Sequence, residues 1–155
     1  MTGRIDARLS ELGITLPVPA RPAGAYVPYV VAGRLVFVSG QLCLWDGELR
    51  YRGAVGGDVS LDDGREAARL CALNLLAQVR DACDGDLDRL SRVVRLGGFV
   101  HCGADFVDHP KVLDGASNLM MDVFGDVGRH TRFAVGASSL PRNASVEVDG
   151  IFEID

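Results

Sequence analysis

Apolar residues recur with helical spacing in two stretches of the chain. Between Ser60 and Cys83, the residues Ala68, Cys71, Ala72, Leu75, Leu76 and Val79 fall at i, i+3, i+4, i+7, i+8 and i+11. That is one stripe of an amphipathic helix. Ser60 stands where a helix cap belongs, and Asp63 takes the capping-box position of Glu. Arg65, Glu66, Arg69 and Arg80 fall outside the stripe and are expected in solvent. Asp108-His109-Pro110 opens a second helix through Phe124, with Leu113, Ala116, Met120, Val123 and Phe124 as its buried stripe. Glycines 125 and 128 end it.

Elsewhere the pattern is that of strands. Val27–Val31 and Leu35–Ser39 are joined by Gly33-Arg34 and read as a hairpin. Val93–Val100 is a third strand, softly broken by Gly97-Gly98. The last third alternates again on either side of Ser138-Ser139-Leu140-Pro141-Arg142-Asn143, a connection rich in turn residues, so it reads as a closing hairpin. Arg4–Leu12 is a short helix ended by Gly13. Pro17, Pro19 and Pro22 force the following segment to be extended. Leu42–Val59 is a loop holding the only tryptophan, Trp45, expected in a core or an interface.

The predicted order is β-β-α-β-α-β-β, an α+β fold with two helices on one face of a mixed sheet. Several strands, Val36–Val38 and Val93–Val100 among them, are apolar on both sides. No helix remains to cover the second face, and the economical cover is another copy of the chain in a closed oligomer.

At 155 residues the chain is a single domain. Its net charge of −5 and pI of about 5.1 disfavour nonspecific association with nucleic acid or an anionic membrane. No apolar run is long enough for a bilayer, and the polar N-terminus lacks a signal-peptide core, so the expectation is a cytoplasmic protein without a membrane partner. Cysteines 43, 71, 83 and 102 follow no CxxC spacing. His101-Cys102 would point to opposite faces of a strand, and His109 and His130 have no ligand spacing with them, so no metal site is expected.

The candidate chemistry lies in the closing hairpin. Folding it about Ser139-Leu140 sets Arg132 opposite Glu147. A guanidinium grips a carboxylate through two parallel hydrogen bonds, and a neighbouring Glu can orient or deprotonate a water. Such a pair suffices to hold a small acid and hydrolyse it. The plainer reading is a cross-strand ion pair on an exposed face, worth about 0.2–1 kcal/mol.

Gly24-Ala25-Tyr26 ahead of a strand, Val38-Ser39-Gly40-Gln41, Arg132, Leu140-Pro141 and Val146-Glu147-Val148-Asp149 follow one another in an order that resembles the RidA/YjgF family of reactive-intermediate deaminases. The likeness covers about Gly24 to Ile154, leaving residues 1–23 as an N-terminal extension to a core of 24–155. The Lys111–Ser117 segment is similar to a less studied branch. The resemblance implies a chorismate-mutase-like fold, a homotrimer with clefts between subunits, and no cofactor. It implies hydrolysis of small 2-imino acids, such as 2-iminopropionate, to a 2-oxo acid and ammonia. Arg132 would then clamp the carboxylate and Glu147 hold the water. Tyr26, Ser39, Gly40, Asn118, Phe133 and Ala134 would line the cleft. Ala134 stands where the family often has cysteine, Gly-Ala-Tyr replaces Gly-Pro-Tyr, and the Leu42–Val59 loop is unusual. Two alternatives stand beside hydrolysis: a trimer that binds a small carboxylate metabolite without turnover, to which Ala134 and the loop lend weight, and a specialised biosynthetic enzyme on the same scaffold. The acidic balance speaks against the endoribonuclease activity ascribed to some relatives.

Overall fold

The computed structural model describes residues 2–155; Met1, counted in the sequence reading as part of the polar N-terminus, lies outside them. The elements are α1 (Arg4–Glu11), β1 (Tyr29–Ala32), β2 (Leu35–Leu42), β3 (Leu44–Trp45), β4 (Glu48–Leu49), α2 (Leu61–Ala82), β5 (Leu90–His101), α3 (His109–Phe124), β6 (Thr131–Ala137) and β7 (Val146–Ile154). No helix among the described residues is long and apolar enough to cross a membrane.

Both long helices form where their stripes predict. Ser60 Oγ accepts from the Asp63 N–H at 3.1 Å, and all six residues of the α2 stripe are buried. A Cβ on Gly115 would collide with the Arg65 carbonyl, so α3 can approach α2 this closely only with glycine there. Phe152, Leu75, Leu96, Leu113 and Met120, all fully buried, fill the space between these helices and the sheet.

The five-stranded sheet has the order β1-β2-β7-β5-β6. β5 and β6 are parallel, joined by a crossover through α3, and the other pairs are antiparallel. This corrects the closing hairpin: β6 and β7 are not neighbours, because β5 lies between them. β7 alternates large apolar residues (Val146, Val148, Phe152, Ile154) that are wholly or almost wholly buried, and it fills the centre of the sheet. β6 has Ala134 and Gly136 at the corresponding places and sits at the edge. Turn residues between two strands mark a reversal of direction; they do not say whether the strands pair.

Gly97-Gly98 does not interrupt β5, which runs unbroken over 12 residues. The two glycines make room instead, Gly97 for Asp149 and Phe133, and Gly98 for Leu113. The short helix expected over Arg4–Leu12 forms as α1. α1 packs on α3 through buried Ile5 and Leu9, and the Asp88 carboxylate accepts from the N–H groups of Arg4 and Ile5 at 2.8 Å each. Within the Leu42–Val59 loop, β3 and β4 form a small hairpin about Asp46-Gly47, both with positive φ (51° and 77°), as a type I′ turn requires. Trp45 packs partly buried against the core.

The second face of the sheet has no cover within the chain. Val30, Phe37 and Val135 are 52%, 42% and 44% exposed on it. Phe99 and Phe133 stand edge-to-face there at 5.5 Å, and the Arg95 guanidinium lies 4.8 Å from the Phe133 ring centre. Among the described residues, only two buried side-chain polar atoms lack a hydrogen bond, His101 Nδ1 and Asp149 Oδ1; both residues belong to strand positions on this face, and Asp149 Oδ1 lies 3.8 Å from the Arg95 guanidinium.

Candidate functional site

Arg132 lies on the edge strand β6, level with Leu96 of β5, and its side chain reaches α3. Nη1 donates to Asp114 Oδ1 at 2.9 Å and to Ser117 Oγ at 3.0 Å; Nη2 donates to the Pro110 carbonyl at 3.4 Å. The side chain is 21% exposed and that of Asp114 47%. A guanidinium carries five donors. Among the described residues, Nε–H and the second Nη2–H have no acceptor.

Ser117 extends the network. Its Oγ lies 2.8 Å from His130 Nε2, and His130 Nδ1 lies 2.7 Å from the Gly128 carbonyl. A carbonyl only accepts, so Nδ1 carries the hydrogen and Nε2 is left to accept from the Ser117 hydroxyl. Burial favours this neutral form of His130. Burial first, and then the Arg132 charge, hold its pKa below the ordinary 6.5, against the opposite pull of the Gly128 bond.

Glu147 projects from β7 onto the uncovered face, half-buried, in register with Leu42 and Phe99. Burial, and secondarily the charge of Asp149, raise its pKa. Opposite Asp149 the register of β2 slips: Ser39 and Gly40 together stand where one residue belongs, a β-bulge. A Cβ on Gly40 would lie 2.8 Å from Glu147 Oε2, so the glycine leaves the space that the carboxylate fills. Ser39 Oγ donates to the Val27 carbonyl at 2.8 Å and fixes the strand entry. Tyr26, 52% exposed, lines a small cavity of about 90 Å³ together with Gly40 and Gln41.

The expected residues thus fall into two groups. Tyr26, Ser39, Gly40 and Glu147 gather at one end of β2 and β7; Arg132, Phe133 and Ala134 lie on the edge strand. Arg132 and Glu147 are not opposite one another. They are two strand spacings and three residues apart in register, about 14 Å, and on opposite faces of the sheet. Asn118 is exposed, with no side-chain hydrogen bond among the described residues; the α3 residues that hold Arg132 are Asp114 and Ser117. Their signal was the i, i+3 spacing within Asp-Gly-Ala-Ser, one polar face of α3. Among the described residues no cluster of three or more His, Cys, Asp or Glu is arranged to hold a metal ion.

The turn before β7 also faces the Tyr26 cavity. Arg142 and Asn143 both adopt positive φ, 59° and 62°, and the Ala144 N–H closes the turn on the Pro141 carbonyl at 3.1 Å. Asn suits such a type I′ turn; Arg costs about 1–2 kcal/mol there. Arg142 lines the Tyr26 cavity and a larger chamber of about 540 Å³ beside it, and Arg21 lines both as well.

Residues 6–153 match the family described as "YjgF/chorismate_mutase-like, putative endoribonuclease". The chain is 45% identical over 155 residues to Protein TCP17 of Trypanosoma cruzi, covering 99% of this chain and 96% of that one. It is 28% identical over 142 residues to a 2-iminobutanoate/2-iminopropanoate deaminase of Dermatophagoides farinae, covering 92% and 95%. Among solved structures, Atu1372 of Agrobacterium tumefaciens, described as of unknown function, superposes with a TM-score of 0.91 at 51% identity over 97% of this chain and 92% of that one. The chain belongs to the YjgF/RidA family, and its α+β architecture of a mixed sheet and three helices is the chorismate-mutase-like fold of that family.

Proposed function

We propose that the protein hydrolyses small 2-imino acids to 2-oxo acids and ammonia, in a crevice completed by a second copy of the chain within a trimer. The observation that carries the reading is the Arg132 guanidinium at the unpaired edge of the sheet, anchored by α3 through three hydrogen bonds and keeping two donors for a ligand carboxylate. Anchoring removes the entropy of a long side chain before the ligand arrives, which is catalysis by positioning. Glu147 supplies the second part. Its raised pKa brings it nearer the range in which a carboxylate exchanges protons at neutral pH. Water held by Glu147 adds to the imine carbon, the proton passes to nitrogen, the C–N bond of the carbinolamine breaks, and ammonia leaves. Docking the β6 edge of one copy against the Tyr26–Gly40–Glu147 end of another brings the two groups together. Such docking would cover Phe37 and Val135 and offer a hydrogen-bond donor to Asp149 Oδ1. The similarity to the imine deaminase of D. farinae supports the same reaction.

A second reading, ligand binding without turnover, draws on Asp114, which already neutralises part of the Arg132 charge. One experiment separates them. 2-Iminopropionate is generated in situ and ammonia release is followed with the wild-type protein and Arg132→Gln. Acceleration lost in the variant supports hydrolysis. Equal acceleration in both removes Arg132 from the reaction, and binding of pyruvate without acceleration by the wild type selects the second reading.

A further inference from the structure

The Arg142 turn adds a feature that hydrolysis of a monocarboxylate does not use. Resting on the reading above, we propose that the substrate is a 2-imino dicarboxylate, whose second carboxylate is held by Arg142 and Arg21. Four observations meet here. Arg142 and Arg21 both line the cavity that holds Tyr26 and Gly40. Neither guanidinium forms an ion pair among the described residues, although most of the other arginines do. The cavity is small, about 90 Å³, against about 540 Å³ for the chamber beside it. Arg142 occupies the first left-handed position of a type I′ turn, where Asn or Gly would be the unstrained residue. A strained backbone position carrying a long cation points to a role for that side chain.

The larger chamber beyond also presents Asp46, so the field there is mixed; the inner cavity, lined by the two arginines and no acid, is the anionic subsite. One carboxylate of the substrate would meet the unused donors of Arg132 from one copy, and the other would meet Arg142 and Arg21 of the next. The imine carbon would then lie between them, near Tyr26 and Glu147. The reaction is unchanged: water adds to the C=N carbon, ammonia leaves, and a 2-oxo dicarboxylate is released with no oxidant or reductant consumed.

The test compares two imines made in situ by an amino-acid oxidase, one from alanine and one from aspartate, with ammonia release measured above the spontaneous rate. Wild type is expected to show at least tenfold higher kcat/KM on the dicarboxylate. Arg142→Gly is expected to lose that preference through KM while leaving the alanine-derived imine within twofold, and to melt higher than wild type because the turn relaxes. Arg142→Lys restores part of the preference. Arg132→Gln abolishes both activities. If Arg142→Gly leaves the preference intact, or lowers both substrates equally, the subsite is overturned while the reading above stands. If Arg132→Gln retains both activities, or wild type accelerates neither, that reading fails and this inference with it.

Discussion

The two faces of the sheet are built from alternate residues of the same strands, yet they differ in kind. On the helix-covered face Val36, Val93, Leu96, Val100, Val148 and Phe152 have no solvent exposure. On the uncovered face Phe37, Phe99, Phe133, Val135 and Ile151 are interspersed with Arg95, Glu147 and Asp149. The first face carries stability. The second is an apolar surface with charges set in it, which suits a face that another copy covers and that keeps polar groups for a ligand. A polar group on the first face is tolerated only where a helix supplies its partners, as Asp114 and Ser117 do for Arg132 at the edge; elsewhere it would cost more than packing returns.

The largest effects should separate these roles. Phe152→Ala should cost about 3–5 kcal/mol in chemical denaturation by opening a cavity in the covered face. Val135→Asp, on the other face, should leave the protomer's circular dichroism and fold unchanged while sedimentation shows the proposed trimer of the wild type replaced by monomer; a variant that sediments as the wild type does would mean that this face is not the interface. Arg132→Gln should lower the hydrolytic rate by about 10²–10³-fold, as loss of a substrate-orienting donor does. Its melting temperature should stay within a few degrees, because the Asp114 partner is half-exposed and such pairs contribute about 0–1 kcal/mol.

Smaller effects come from titration. The pKa of Glu147 is raised in the folded state, so the folded protein holds this proton more tightly than the unfolded chain. Stability from this group is present at low pH and falls as pH rises from 4.5, its ordinary value, through the folded value. Glu147→Gln should therefore melt higher than wild type at pH 7.5 and equally at pH 3.5, while losing hydrolysis. His130 has the opposite slope. Its folded pKa is lowered, so its contribution is present above 6.5 and declines as pH falls through the folded value, where Nε2 must take a proton and the Ser117 hydroxyl loses its acceptor. His130→Gln should flatten the dependence of melting temperature on pH between 7.5 and 5. An unchanged slope would place the titrating group elsewhere.

Much of the covered face was legible before any coordinates. The α2 stripe from Ala68 to Val79 is buried in full, the Ser60 cap forms, and α3 runs from His109 to Phe124 as read. A helix records its partner face in a period of 3.6 residues, and caps and turns act over three or four, so these features are local. Ser39-Gly40 is legible in sequence only as a motif, since a bulge exists relative to the strand beside it. The Asp-Gly-Ala-Ser segment reads in sequence as a branch marker and not as the anchor of Arg132, because the contact joins it to a strand residue 15 to 18 positions later.

What the sequence determined by itself was the set of elements, their polarity pattern and the residues able to handle a carboxylate, because each follows from short-range sterics and the period of burial. The tertiary structure decided that β7 enters the sheet between β2 and β5, which puts Arg132 and Glu147 on different strands and different faces of one protomer. Strand order is a competition among distant segments for the same core, and the winner is the one whose side chains fill it; no local pattern encodes that outcome.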